Sequence, residues 1–330
     1  MHSSPDLKVF KGMPIRWFLV VSLLAFTTFT QASTYSYTIL NPPDADPDRI
    51  YAYGINNSGQ VAGQYFDINQ NVHGFVYNGS NYTTLNVPNA RETVAVGIND
   101  SGQVIGQFSD GTGFYNVLFS EGTYTTLDLP INAIAYGINN NGQIVGTFHD
   151  DTYHQHGFMY DGNAYSALDI PNAVDTWVYG VNDSDQVVGS VNYDGLAVHG
   201  FIYNGGNFKI LDAPNGDPSY PYTWAQGVNN SGQVVGAFSD PNGNYHGFIY
   251  NGGTFTVFDP PTSRYTWLTG INDRGQVVGY FYDTANHNYS FLATPVIVPI
   301  PAAAWLFITS LACWAGLLGL NPGRQSIRST

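Results

Sequence analysis

One pattern recurs along most of this chain and limits what it can fold into. In its fullest form it reads Trp224-Ala225-Gln226-Gly227-Val228-Asn229-Asn230-Ser231-Gly232-Gln233-Val234-Val235-Gly236, followed by His246-Gly247-Phe248-Ile249-Tyr250-Asn251-Gly252. The first glycine returns at Gly54, Gly97, Gly137, Gly180, Gly227 and Gly270, at spacings of 43, 40, 43, 47 and 43 residues. Self-similarity at a period of roughly 20–50 residues is the mark of a repeat architecture. Within each unit four strand-like runs alternate with turn signals. The first run ends in Gly-Ile/Val-Asn, and an Asn/Asp-x-Gly turn leads into Gln-Val-Val-Gly, a hairpin pattern. A looser loop precedes Gly-Phe-Ile-Tyr, and Asn-Gly-Gly turns that run into Thr-Phe-Thr-Val-Phe-Asp. Proline then ends the fourth run (Pro88, Pro130, Pro171, Pro214, Pro260), because it cannot donate to a ladder.

The two ends of the array complement each other. Tyr35-Ser36-Tyr37-Thr38-Ile39-Leu40-Asn41-Pro42-Pro43 matches Gly253–Pro261, the tail of the fifth unit. The sixth unit runs through Gly270, Gly279 and Phe291-Leu292-Ala293-Thr294 and stops before any such tail. Six four-stranded units with an orphan tail in front predict an all-β six-bladed β-propeller of four-stranded repeats, closed by the N-terminal strand. A β-solenoid is the alternative, but solenoids need capping ends rather than complementary ones.

Charge narrows the partners. The two end segments hold five of the ten basic residues (Lys8, Lys11, Arg16, Arg324, Arg328) and one of the 24 acidic ones, Asp6. The middle is left with 5 basic and 23 acidic residues, a net charge of −18. Such a surface repels phosphate backbones and anionic headgroups, which argues against nucleic acid as a partner. Cys313 is the only cysteine, so no intrachain disulfide forms and packing alone must hold the repeats.

Residues 1–32 have a basic start, an apolar run from Trp17 to Phe29 and small residues at Thr30-Gln31-Ala32, the pattern of a secretory signal peptide. An uncleaved anchor is the alternative, although the run is short for a membrane span. The repeats occupy 33–296 and a distinct segment fills 297–330. There the uncharged stretch Ala302–Leu320 would make about 28 Å of helix, enough for a transmembrane helix at 302–320. Arg324 and Arg328 beyond it favour a cytoplasmic C-terminus. Both ends thus predict export of the repeats, anchored first through the C-terminal helix and then at the cell surface or outside the cell.

Two resemblances follow. Val298-Pro299-Ile300-Pro301-Ala302-Ala303-Ala304-Trp305-Leu306-Phe307, with its apolar helix and basic tail, resembles the PEP-CTERM sorting signal in its Val-Pro-Leu-Pro-Ala variant. That likeness covers 298–330 and implies a Gram-negative, exopolysaccharide-producing bacterium whose exosortase-type enzyme cleaves near Val298, Pro299, Pro301 and Ala302. Arg324 and Arg328 are spaced, where such tails usually carry a tight basic cluster. The repeats from Gly54 to Phe291 resemble the extracellular repeat family named HAF, with His-Gly-Phe at His73, His156, His199 and His246. That likeness implies a surface or secreted protein and carries no enzymatic activity with it.

Strand parity assigns the faces. The first and third turns of each unit fall on one face, the second turn and the inter-unit link on the other. The first turn is nearly constant (Asn56–Gly59, Asn139–Gly142, Asn229–Gly232). The second varies, spanning 11 residues from Gly63 to Gly74 but only 7 from Gly106 to Gly113. Variable loops on a fixed scaffold are where binding resides, so function is expected on that face. Asp67, Asp110, Asp150, Asp194, Asp240 and Asp283 recur there, either to bind Ca2+ or to cap their own turns; one acid per loop favours capping. The repeated histidine suits a structural hydrogen bond better than catalysis, which needs one asymmetric constellation.

Trp177, Trp224 and Trp267, each three residues before its glycine, could be saccharide platforms or could fill gaps between blades. Asp150, Asp151, His154 and His156 form the one local break in symmetry and combine donors suited to a divalent metal such as zinc. The chain shows no Gly-x-Ser-x-Gly elbow, phosphate loop or His-Glu-x-x-His helix. Two functions remain: a non-catalytic surface or matrix protein associated with exopolysaccharide, or a secreted glycosidase or lyase with paired carboxylates at the mouth of the channel.

Overall fold

The computed structural model describes residues 34–214, 216 and 221–296. The predicted signal peptide, the sorting motif and the predicted helix 302–320 lie outside them. Among the described residues no helix is long and apolar enough to cross a membrane.

The described chain is all β, with 24 strands in six four-stranded blades. The innermost strands are Ala45–Ile55, Glu92–Ile98, Ile134–Ile138, Asp175–Val181, Thr223–Val228 and Ser263–Ile271, one per blade in chain order. Each continues outward as an antiparallel meander. Blades 1 and 2 are also linked by one parallel bridge, Val72 to Glu92. Blade 6 takes three strands from the end of the array and its outermost from the beginning, Thr34–Ile39 beside Asn288–Val296. The Leu40 N–H donates to Ser290 O at 2.9 Å and the Ser36 hydroxyl to Thr294 O at 3.4 Å, a register that runs antiparallel. The expected closing strand is therefore in place.

The repeated glycines have steric causes. A Cβ on Gly227 would meet the Gly270 Cα at 3.0 Å and Thr269 O at 3.1 Å, because the inner strands touch backbone to backbone around the axis. The ladder bulges at the same point in every blade, between Ala225 and Gly227 in blade 5, which frees the residue in between to face the axis. On the second strand, Gly236 stands opposite Phe248; a Cβ there would lie 1.8 Å from Trp224 O and 2.9 Å from the Phe248 ring. The aromatic thus occupies space that the glycine vacates. Phe75, Phe158, Phe201, Phe248 and Phe291 are fully buried in this way, each contributing about 1.5–3 kcal/mol by burial. Blade 2 has Val117 in this place, opposite Gly106.

The first turn accounts for the rest of the motif. The Asn229 Oδ1 accepts the Gln233 N–H at 2.9 Å, and its Nδ2 donates to Gln233 Oε1 at 2.8 Å and to Asn272 O of the next blade at 3.1 Å. The equivalent inter-blade bonds run from Asn56 to Asn99, Asn99 to Asn139, Asn139 to Asn182, Asn182 to Asn229 and Asn272 back to Asn56. Six buried asparagines thus form a closed belt, possible only if the blades form a ring.

A second ring lies outside it, where Asn57, Asp100, Asn140, Asp183, Asn230 and Asp273 alternate. Each backbone N–H donates to the next side chain, from Asn57 to Asp100 at 2.7 Å and onward until Asp273 returns to Asn57 at 2.7 Å. Every asparagine amide also donates to the carboxylate on each side. Amide donors and carboxylate acceptors must alternate for this pattern, so an even number of blades suits it.

One buried hydroxyl breaks the pattern. Thr93 and Thr176 accept the backbone N–H of Val87 at 3.0 Å and Ile170 at 3.2 Å. Among the described residues the equivalent Thr266 has no partner for its Oγ1, because Pro260 stands where Val87 and Ile170 stand and has no N–H. Thr266→Val is accordingly expected to be neutral or stabilising, whereas Thr176→Val, which orphans the Ile170 amide, loses about 1–3 kcal/mol. Urea denaturation of the two variants checks this. Equal losses would contradict the assignment.

Candidate functional site

The belts seal one end of the ring axis, and the other end carries the chemistry. On each inner strand the bulged residue before the glycine and the residue two places earlier face the axis. The first set is Tyr53, Val96, Tyr136, Tyr179, Gln226 and Thr269. The second is Tyr51, Val94, Ile134, Trp177, Trp224 and Trp267. The second set pairs across the ladder with Gln64, Gln107, Thr147, Ser190, Ala237 and Tyr280. Twelve of these eighteen side chains line a cavity of about 300 Å³ on the side of the variable loops, among them Tyr53, Gln64, Gln107, Tyr136, Tyr179 and Trp267 but not Trp177 or Trp224.

Its lining mixes aromatic rings from blades 1, 3, 4 and 6 with glutamines from blades 1, 2 and 5. An aromatic row runs through blades 5, 6 and 1: Tyr222 stacks on Trp224 at 5.6 Å, Trp224 meets Tyr245 at 5.7 Å, and Tyr245 meets Trp267 at 4.7 Å. Trp267 stacks on Tyr280 at 5.6 Å, and Tyr280 meets Tyr51 edge-on at 5.3 Å. Gln64 and Gln107 belong to blades 1 and 2. Trp177, Trp224 and Trp267 are all half-buried. Trp224 and Trp267 have aromatic packing partners and Trp267 also lines the cavity, so the two readings of these residues are not exclusive. Trp177 keeps the same register but joins no aromatic pair among the described residues.

Burial in the cavity pushes the Tyr136 and Tyr179 hydroxyls above the ordinary tyrosine range. Burial, then the neighbouring phenols, does the same for Tyr53 and Tyr280. Tyr282 is pushed up to about 12 by burial and then by its hydrogen bond with Tyr51. These phenols therefore remain protonated donors at neutral pH.

The variable loops place the recurring aspartates at their own turns. Asp67 Oδ1 accepts the N–H groups of Asn69 and Asn71, both at 2.8 Å; Asp240 does the same for Asn242 and Asn244 at 2.9 and 2.8 Å. The Asn71 side chain, chiefly, holds Asp67 down to about 2, and Thr152 does the same for Asp150. The repeated histidine ties the loop to the outer strand. His246 Nδ1 lies 2.7 Å from Asp259 Oδ2, and its Nε2 lies 3.6 Å from Asp240 Oδ2.

The four residues singled out as metal donors do not converge. His156 Nδ1 lies 3.1 Å from Asp169 Oδ2 and its Nε2 3.6 Å from Asp150 Oδ2, so it repeats the strut of the other blades. Burial would lower its pKa, but Asp169 and then Asp150 outweigh this and raise it. His154 lies 3.5 Å from Asp175 instead, and Asp151 is exposed. His154 precedes the strand Gln155–Tyr160, so strand alternation does not place it beside His156. Among the described residues no group of three or more acidic, histidine or cysteine side chains has metal-holding geometry.

The cavity-lining positions before each glycine escaped the sequence reading. Their signal was variation: Tyr, Val, Tyr, Tyr, Gln and Thr sit there, between neighbours that hardly change from unit to unit.

No protein-family model matches the sequence, and no curated protein matches it. Among solved structures the chain resembles AofleA from Arthrobotrys oligospora, at 10% identity over 80% of this chain and 90% of that one, with a TM-score of 0.51. Others are the Aleuria aurantia lectin, described as a six-bladed β-propeller with a novel fucose recognition mode (12% identity, 79% and 100% covered, TM-score 0.46), and Trypanosoma rangeli sialidase (8%, 86% and 61%, 0.46). The first likeness bears on fold alone.

Proposed function

We propose that this propeller is an exported, non-catalytic binding module of the cell surface or extracellular matrix, and that its axial cavity holds saccharide. The observation that carries this reading is a cavity lined by aromatic rings and three glutamines. Aromatic faces suit the C–H faces of sugar rings, and Gln64 and Gln107 offer both donors and acceptors to hydroxyls. Glycoside hydrolysis calls for two carboxyl groups beside the sugar; the cavity is lined instead by tyrosines, glutamines, a threonine, a tryptophan and aliphatic side chains. That composition favours binding over the rival glycosidase or lyase.

The polarity of the last strand fits display at a surface. A Cβ on Gly275, in a first turn beside the belts, would lie 3.5 Å from Pro295 Cγ. The chain therefore leaves blade 6 on the belt face. A tether beyond Val296, processed by an exosortase-type enzyme as the sorting motif suggests, would begin on the belt face rather than at the cavity.

The test uses mature protein from the native cell surface, its C-terminus read by mass spectrometry, and retention on the host's own exopolysaccharide with and without calcium. Intact peptides from Trp305 to Arg324 would mean a permanent anchor instead of a processed one. Gln64→Ala and Trp267→Ala should each weaken retention, Trp267→Ala by about 2–12-fold, equivalent to 0.5–1.5 kcal/mol for one aromatic contact. The melting temperature of Gln64→Ala should not change. Unaltered retention in both variants would remove the saccharide reading.

A further inference from the structure

We infer that the cavity receives the end of a neutral saccharide chain rather than an internal stretch of polymer. The inference rests on the saccharide reading and concerns which part of the chain can enter. Below the cavity the axis is shut in layers. The glycine ring comes first, with inner strands so close that a Cβ on Gly54 would lie 2.8 Å from Val96 O and 3.0 Å from the Gly97 Cα. Next come Ile55, Ile98, Ile138, Val181, Val228 and Ile271, each no more than 9% exposed. The asparagine belt and the alternating Asn/Asp ring follow, both closed hydrogen-bonded circuits. The space among these lower layers is only about 70 Å³. Nothing the width of a sugar ring passes through, so the cavity is a cup and not a tunnel.

The volume and lining of the cup define its occupant further. A space of about 300 Å³, about the liquid volume of ten waters, suits a short saccharide end. Every side chain in its lining is uncharged at neutral pH: Tyr53, Tyr136, Tyr179 and Tyr280 are held protonated by burial, and the other lining residues do not titrate. A uronate or sulfated terminus would lose its hydration without meeting a cation in the lining. A neutral terminus meets Gln226, Gln64 and Gln107, which can pair with hydroxyls of either polarity. The Thr269 hydroxyl already donates to Ala52 O at 2.9 Å and is left with acceptor capacity.

The deciding experiment is competition. The mature protein is bound to immobilised neutral polysaccharide of the host and displaced either by the soluble intact polymer or by the same polymer cut by partial acid hydrolysis. If chain ends are bound, halving the mean chain length halves the mass needed for half-displacement. If the mass needed stays constant, internal recognition holds and the inference falls while the saccharide reading stands. If neither preparation displaces the protein, the saccharide reading itself fails. Gln226→Trp, which fills the cup from its side wall, supplies the second arm. It should abolish displaceable binding, while retention of binding with an unchanged melting temperature would place the site elsewhere.

Discussion

A chain lacking residues 33–43 is expected to melt far below the full repeat domain and to self-associate. The missing segment is the outermost strand of blade 6. It supplies Leu40, which is 1% exposed, and Tyr35 and Tyr37, which pack edge-on against Phe258 at 4.8 Å and Phe291 at 5.8 Å. Burying Leu40 contributes about 1.5–3 kcal/mol, each aromatic contact about 0.5–1.5 kcal/mol, and the ladder bonds roughly 1 kcal/mol apiece. Their joint loss is about 5 kcal/mol or more, comparable to the total stability of many domains. The exposed Asn288–Val296 strand would also present an unpaired edge to other molecules. Thermal melting and size-exclusion chromatography of the truncated domain read both effects. Melting like the full domain would show that the ring does not depend on this strand.

That closure was legible in the sequence because a propeller with a displaced strand leaves a matching surplus and deficit at its two ends, and Tyr35–Pro43 against Gly253–Pro261 is such a pair. The repeated glycines were legible too, since backbone contact and the demands of a tight turn tolerate little else. Asp185 is an exception: it takes the left-handed position of the first-turn glycine, at φ 60°, a conformation that aspartate tolerates better than most residues.

Side-chain reach was less legible. Asn229 looks like an ordinary turn residue in the sequence, and its bond to Asn272 spans 43 positions. Which residues face the axis depended on a bulge that the sequence pattern does not announce. The tryptophans stand out in the sequence and their aromatic partners do not: Tyr280 stands opposite Trp267 in the ladder of blade 6, Tyr222 lies two residues before Trp224, and Tyr245 reaches Trp267 of the next blade. The local His/Asp cluster is close in sequence but divided in space: His154 pairs with Asp175 of the next blade, and His156 with Asp169 as well as Asp150.

The belt itself is open to a sharp test. Asn229→Leu keeps the volume of the side chain and removes its polar atoms. It leaves the Gln233 and Ser231 amides and the Asn272 carbonyl without the partners they have now, at 2.9, 3.1 and 3.1 Å. Each such loss is worth about 1–3 kcal/mol where water cannot substitute, and Asn229 is only 3% exposed. A total of about 3–5 kcal/mol is expected, among the larger effects of single substitutions. Ser231→Ala, in the same turn but exposed, should stay within about 0.5 kcal/mol. The contrast matters because both residues belong to the same repeated motif, and only the belt distinguishes them. Chemical denaturation of the two variants decides it. If Asn229→Leu is as stable as Ser231→Ala, the asparagines serve the local turn without holding the blades together, and the ring is kept closed by its glycine contacts and its shared blade alone.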